Sequence, residues 1–276
     1  MWHPGVDRLA DGHEYHAGRP RHACVDGMRA VTPDPESAAI VMPKGLVKVA
    51  VLGSCRVVNP LRPLNGRRID IVNADNLWYT HSAPEAVQKV ELLTSALRLD
   101  PALMSFVAGD EPAPADLSRA RPEYFAGTEV AVVEVSASRV RRTADGTLLH
   151  AVAVAAMEAA GKTQPHELHA LSEAEEAAAL DRLCSAFPAV LLVSPIVLAP
   201  GLREVNPARD RLRRSLAAYC VRRGSASVVS FDPMTVVAAL GADQALSDNN
   251  HFSRLGMAAV RQALVERIAA LRGPAS

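Results

Sequence analysis

Two short stretches carry residue types suited to covalent chemistry. The first is Gly53-Ser54-Cys55-Arg56, which follows the aliphatic run Val49-Ala50-Val51-Leu52. The second is Ser247-Asp248-Asn249-Asn250-His251-Phe252-Ser253, just before the last helical pattern. A thiol or hydroxyl attacks poorly until a base takes its proton, and a thiol is the easier to activate because a free cysteine ionises at about 8.5. An imidazole can take that proton, and a carboxylate can then fix the ring's tautomer and steady its cation. Asp248 stands three residues before His251, a spacing that lets a tight turn bring carboxylate to imidazole. If the stretches meet, the chain has a nucleophile in Cys55 or Ser54, a base in His251 and an orienting group in Asp248. A helix starting directly after Cys55 would lower the thiol's pKa further and offer backbone N–H groups to an oxyanion.

The elements needed to bring these stretches together can be read from the apolar pattern. Residues 46–53 form a continuous aliphatic run, as in a strand buried on both faces. Further strands are expected over 68–73, 129–135, 190–193 and 227–231. Helices are expected over 84–97, 151–160, 172–187, 207–223, 233–240 and 253–271. The loop after the first strand holds Arg56, Asn59, Arg62 and two prolines, and 99–127 reads as irregular with four prolines. Ser172 with Glu175 makes a capping box, Gly224 ends a helix, and Asp145-Gly146 marks a tight turn. Leu255, Val260, Leu264, Ile268 and Leu271 give the last helix an apolar stripe. Strands alternating with helices imply an α/β, flavodoxin-like three-layer fold around a mostly parallel five-stranded sheet. In such a sheet functional groups gather at the carboxyl ends of the strands. Cys55, Glu134, Ser136, Ser194 and His251 then share one rim.

Composition narrows the classes. The chain has 276 residues, 30 Lys+Arg and 30 Asp+Glu, so net charge makes no case for nucleic acid or an anionic membrane. No run of 18 apolar residues suggests a membrane span. Cys24, Cys55, Cys184 and Cys220 form no CxxC pair, which disfavours structural zinc and suits a reduced, cytoplasmic setting. Cys184 and Cys220 read as small core residues. His3, His13, His16 and His22 are irregularly spaced, so residues 1–44 read as a polar extension rather than a metal site. Residues 45–276 read as one domain, and no cofactor or metal is called for.

An aliphatic strand ending in Gly-x-Ser/Cys, with Asp-x-x-His before the last helix, resembles the SGNH (GDSL-like) hydrolase pattern. Gly53-Ser54-Cys55 looks most like the GSCFA and capsular-polysaccharide-biosynthesis branches, and the element order agrees over roughly 46–272. The resemblance places Cys55 at the nucleophile, with Ser54 one residue out of register, and Asp248 and His251 as its partners. It implies an ester or thioester hydrolase, or an O-acyltransferase on a small polar or sugar-like acceptor; high Ala, Arg and Pro usage points separately to a GC-rich bacterial source. The third strand departs from the family, ending Glu134-Val135-Ser136-Ala137-Ser138 without Gly-x-Asn-Asp. Ser136, Ser138 or backbone N–H groups would then serve the oxyanion.

Around these groups, Arg56 is suited to hold an anion bidentately or to make a salt bridge. His81, with Trp78 and Tyr79, forms a polar–aromatic loop suited to lining a pocket. Glu134, Ser136 and Asn250 complete the expected substrate-binding set, Glu134 also being suited to pair with an arginine. Arg211, Arg213 and Arg214 read as a solvated helix face. The partners implied are a small-molecule acyl donor and acceptor. The competing reading is a non-catalytic small-molecule-binding module on the same scaffold. A dinucleotide or SAM site is disfavoured, because no GxGxxG follows the first strand.

Overall fold

The aliphatic runs become strands, as their burial demands. The computed structural model describes residues 45–108 and 115–272. The leader's four histidines and Cys24 lie outside the described residues. The chain runs β1 (Val47–Leu52), α1 (Cys55–Leu61), β2 (Ile69–Ile71), α2 (Ala83–Leu93), α3 (Pro101–Val107), β3 (Val130–Glu134), β4 (Arg139–Arg142), β5 (Leu148–Leu149) and α4 (Ala151–Ala159). It continues through β6 (Glu167–Ala170), α5 (Glu173–Ala186), β7 (Val190–Val193), α6 (Pro207–Arg223), β8 (Val228–Phe231), α7 (Met234–Leu240), α8 (Ala242–Ala245) and α9 (Arg254–Arg272).

The main sheet has the order β2-β1-β3-β7-β8, and every pair in it is parallel. Counted within this sheet the order is 2-1-3-4-5, the flavodoxin-like arrangement. Alternate residues serve opposite faces. Val49, Val51, Val132 and Leu191 pack with Val57 and Leu61 of α1 and Val260, Leu264 and Ile268 of α9. Ala50, Leu52, Val133 and Leu192 pack with Ala86 of α2, Leu183 of α5 and Leu216 of α6. Two apolar faces on one sheet give the three layers.

Local chemistry sets the ends of several helices. Ser82 with Glu85, and Ser172 with Glu175, both form complete capping boxes. Gly224 closes α6 in the left-handed region, at φ 61°. The Asp145-Gly146 turn joins β4 to β5 as an antiparallel pair.

Five expectations change. The segment after β1 is not all loop: Ser54 caps α1 by accepting from the Arg56 amide, and the helix ends one residue after Pro60. The irregular 99–127 stretch contains α3, started by Pro101 and capped by Asp100. α2 stops at Leu93, well short of 97, and Ser95 has φ 59°. β6 forms where no strand is expected, pairing antiparallel with β4 in a separate small sheet β5-β4-β6. The stripe of α9 begins at Val260, since Leu255 is half exposed. Among the described residues no helix is long and apolar enough to cross a membrane.

Candidate functional site

The two chemical stretches come to the same end of the molecule through adjacent helices. β1 runs up to Gly53, and α1 turns back from Cys55 across the sheet face that α9 also covers. The Arg261 Nε donates to the Pro60 carbonyl at 3.0 Å, tying α9 to α1. Pro60 lies about 7.5 Å down α1 and Arg261 about 10.5 Å down α9, at 1.5 Å per residue. At its far end α9 reaches the foot of the sheet, where Arg272 meets Gly45 and Glu129. The helices therefore run in the same sense and begin at the same end of the sheet. Cys55 is the first residue of α1, and His251 stands three residues before α9.

The turn at Gly53 is tightly built. A Cβ there would lie 2.5 Å from Val57 Cγ2 and 2.7 Å from Glu134 Cβ, so only glycine fits. Glu134, at the end of β3, is wholly buried. Its Oε2 accepts from the Ser54 amide at 2.7 Å and the Ser54 hydroxyl at 2.6 Å. Its Oε1 lies 2.6 Å from Arg56 Nε, and the Arg56 side chain is buried too. Ser54, 1% exposed, is thus held by Glu134 while capping α1, and Cys55 beside it is only half-buried. Arg56 and Glu134, expected at the substrate, pair with each other beneath the turn.

The loop of residues 76–82 closes one side. The Thr80 amide donates to the Gly53 carbonyl at 3.2 Å, and the His81 carbonyl accepts from the Ser136 and Ala137 amides at 2.7 and 2.8 Å. Ser136 Oγ lies 3.4 Å from His81 Nδ1. His81 and Tyr79 are half-buried on this loop, whereas Trp78 is buried. The ends of β1 and β3 and the polar–aromatic loop are thereby joined by main-chain bonds.

The loop of residues 246–252 closes on itself through a bridge between Leu246 and Phe252 and a bond from the Ser247 amide to the His251 carbonyl at 3.0 Å. Asp248 Oδ1 accepts from the amides of Asn250 and His251, and Asp248 Oδ2 lies 2.8 Å from His251 Nδ1. Burial works to raise the Asp248 carboxyl. The hydrogen bonds from His251 and Asn250, with the His251 charge, outweigh it and hold the group below its ordinary value. Both side chains remain about half exposed. Arg209, at the start of α6, anchors the loop from beneath by donating to the Ile196 and Asn249 carbonyls and, at 2.6 Å, to Asn250 Oδ1. The Asn250 side-chain oxygen is thereby engaged with Arg209.

Sequence reasoning missed Arg209, Asn73 and Lys89. Asn73 is fully buried and bonds both the amide and the carbonyl of Val51, continuing the edge of β1. Ser194 bonds Phe231 and Asp232, closing the β7 and β8 ends of the rim. Arg213 is not wholly solvated, since it pairs with Asp210 and Asp232. A cleft of about 370 Å³ lies elsewhere, lined by Lys48, Asp70, Asp75, Arg119 and Tyr124, and shares none of the rim residues.

Residues 47–167 match the family model described as the TviD N-terminal domain. The match takes in the Gly53 turn, the His81 loop and Glu134, and it ends before Asp248 and His251. No curated protein matches the chain.

Proposed function

We propose that the chain is an acyl-transfer enzyme that uses Cys55 as nucleophile, His251 as base and Asp248 to orient it. The observation that carries this reading is that α1 and α9 lie on one face of the sheet and start at the same end of it, with Cys55 beginning one and the bonded Asp248–His251 pair preceding the other. Asp248 on Nδ1 leaves His251 Nε2 as the ring nitrogen that takes the thiol proton. The thiolate forms a bond to the acyl carbon of an ester or thioester. The leaving group departs with the proton returned by His251. A hydroxyl of the acceptor, or water, then gives its proton to His251 and attacks the thioester, and Cys55 is released as the thiol.

The half-buried thiol and the engaged Ser54 hydroxyl favour Cys55 over Ser54. Similarity to the TviD N-terminal domain, from a protein of capsular polysaccharide (Vi antigen) biosynthesis, favours transfer to a sugar-like acceptor. Arg56 and Glu134 then act as supports that hold the turn. Incubation with acyl esters and thioesters, followed by intact-mass spectrometry, is expected to give an acyl adduct on Cys55. Turnover is expected to fall at least about a hundredfold in His251→Ala. Turnover that survives both Cys55→Ala and His251→Ala would overturn the reading.

One observation supports a second reading, a non-catalytic binding module on the same scaffold. The β3 end is occupied by the buried Glu134–Arg56 pair, where the hydrolase pattern puts oxyanion donors. An unreactive Cys55, together with small-molecule binding that survives His251→Ala, would favour it.

A further inference from the structure

Behind the rim lies a buried lysine that, among the described residues, has no carboxylate partner. Lys89 of α2 is 1% exposed, and among the described residues no carboxylate lies within ion-pair distance of it. Its Nζ donates to the Trp78 carbonyl at 2.5 Å and stands 4.5 Å from the centroid of the Trp78 ring. Those contacts stabilise a cation, yet among the described residues only one of its three donors has a hydrogen-bond partner. A cavity with room for about one water-sized occupant adjoins Lys89, Trp78, Thr80, Glu85 and His150. The Thr80 Oγ1 and His150 Nε2 are buried there without a hydrogen-bond partner.

The charged and titratable groups around Lys89 do not neutralise it. Glu85, one turn earlier on α2, gives its carboxylate to the His81 and Ser82 amides at 2.7 and 2.9 Å. His150, which caps α4, accepts from the Ala153 amide through Nδ1 and so carries its proton on Nε2. Burial, then the charges of Lys89 and of Arg141 on β4, push the His150 ring down to about 4, so it is neutral near pH 7. His81 stacks on His150, with ring centroids 5.2 Å apart.

We propose that Lys89 is the positioning residue of the 76–82 loop, and that through Trp78 it holds Thr80 against Gly53 and His81 against Ser136. Opening the loop returns Lys89 to water, where the ammonium is well solvated. The closed state is therefore linked to proton loss from Lys89. Burial lowers the Lys89 ammonium from 10.5 to about 7. A base whose pKa is depressed in the closed state binds protons more weakly there than in the open state. The closed loop therefore gains stability as pH rises from about 7 toward 10.5 and holds none of that gain below 7. The bearing of this hold on catalysis rests on Cys55 and His251 acting as proposed; the hold itself does not.

Amide hydrogen exchange at Thr80, Ser136 and Ala137 between pH 7 and pH 9 tests it. Protection, corrected for intrinsic exchange, is expected to rise by up to about tenfold per pH unit in the wild type. It is expected to be flat in Lys89→Met, which removes the titrating group, and flat in Lys89→Arg, which keeps the charge. Melting temperature confirms that both variants are folded. Equal pH dependence in wild type and Lys89→Met would overturn the proposal. Cys55 alkylation in Lys89→Met reads the coupling to the site separately, and failure there alone would fault the catalytic reading and leave the clamp standing.

Discussion

Glu134 accepts from both the amide and the hydroxyl of Ser54 on one oxygen and meets Arg56 on the other, so a single carboxylate fixes the turn that presents Cys55. Both members of the Glu134–Arg56 pair are buried. Removing one charge would strand the other in a medium that solvates it poorly. Glu134→Gln is expected to cost about 3 kcal/mol, measured by urea unfolding, and adding Arg56→Met should recover part of the loss. A variant as stable as wild type would show that the pair holds nothing. Cys55, Asp248 and His251 could be singled out in the sequence because the chemistry proposed for them depends on residue type and short spacing. The Glu134–Ser54 bond was not, because its partners lie 80 residues apart and either has an ordinary local explanation. Arg209 was hidden for the same reason, since it reads as one more arginine on an arginine-rich helix while bonding a loop 40 residues away.

α8 and α9 meet so closely that Gly256 has no room for a side chain. A Cβ there would lie 1.9 Å from the Ala245 carbonyl oxygen, a backbone atom that cannot swing aside. Gly256→Ala therefore has to push α9 away from α8 and pull on the loop carrying Asp248 and His251. A loss of about 1–3 kcal/mol is expected by thermal melting. An unchanged melting temperature would mean that the α8–α9 approach is looser than described. Buried strands and capped helices were legible, because aliphatic runs and Ser-x-x-Glu boxes act locally. α1 was obscured by Pro60, which argues against a helix although it falls only one residue before the end. β6 was obscured because most of its residues are exposed, so no apolar run marks it; pairing with β4 makes it a strand.

The parallel alternation of strands and helices gave the architecture, but strand order and the pairing of α1 with α9 depend on contacts between distant parts of the chain. The central claim depends on those contacts: the end of β1 and the start of α9 must present Cys55 and His251 to each other. The most direct measurement is the rate at which Cys55 is alkylated by a small reagent as pH is varied, followed by mass spectrometry in wild type, His251→Ala and Asp248→Asn. Fast labelling is expected at pH values where an ordinary thiol is protonated, lost in His251→Ala and weakened in Asp248→Asn. Slow labelling that neither substitution alters would contradict it, leaving Cys55 as part of the turn and the rim without an activated nucleophile.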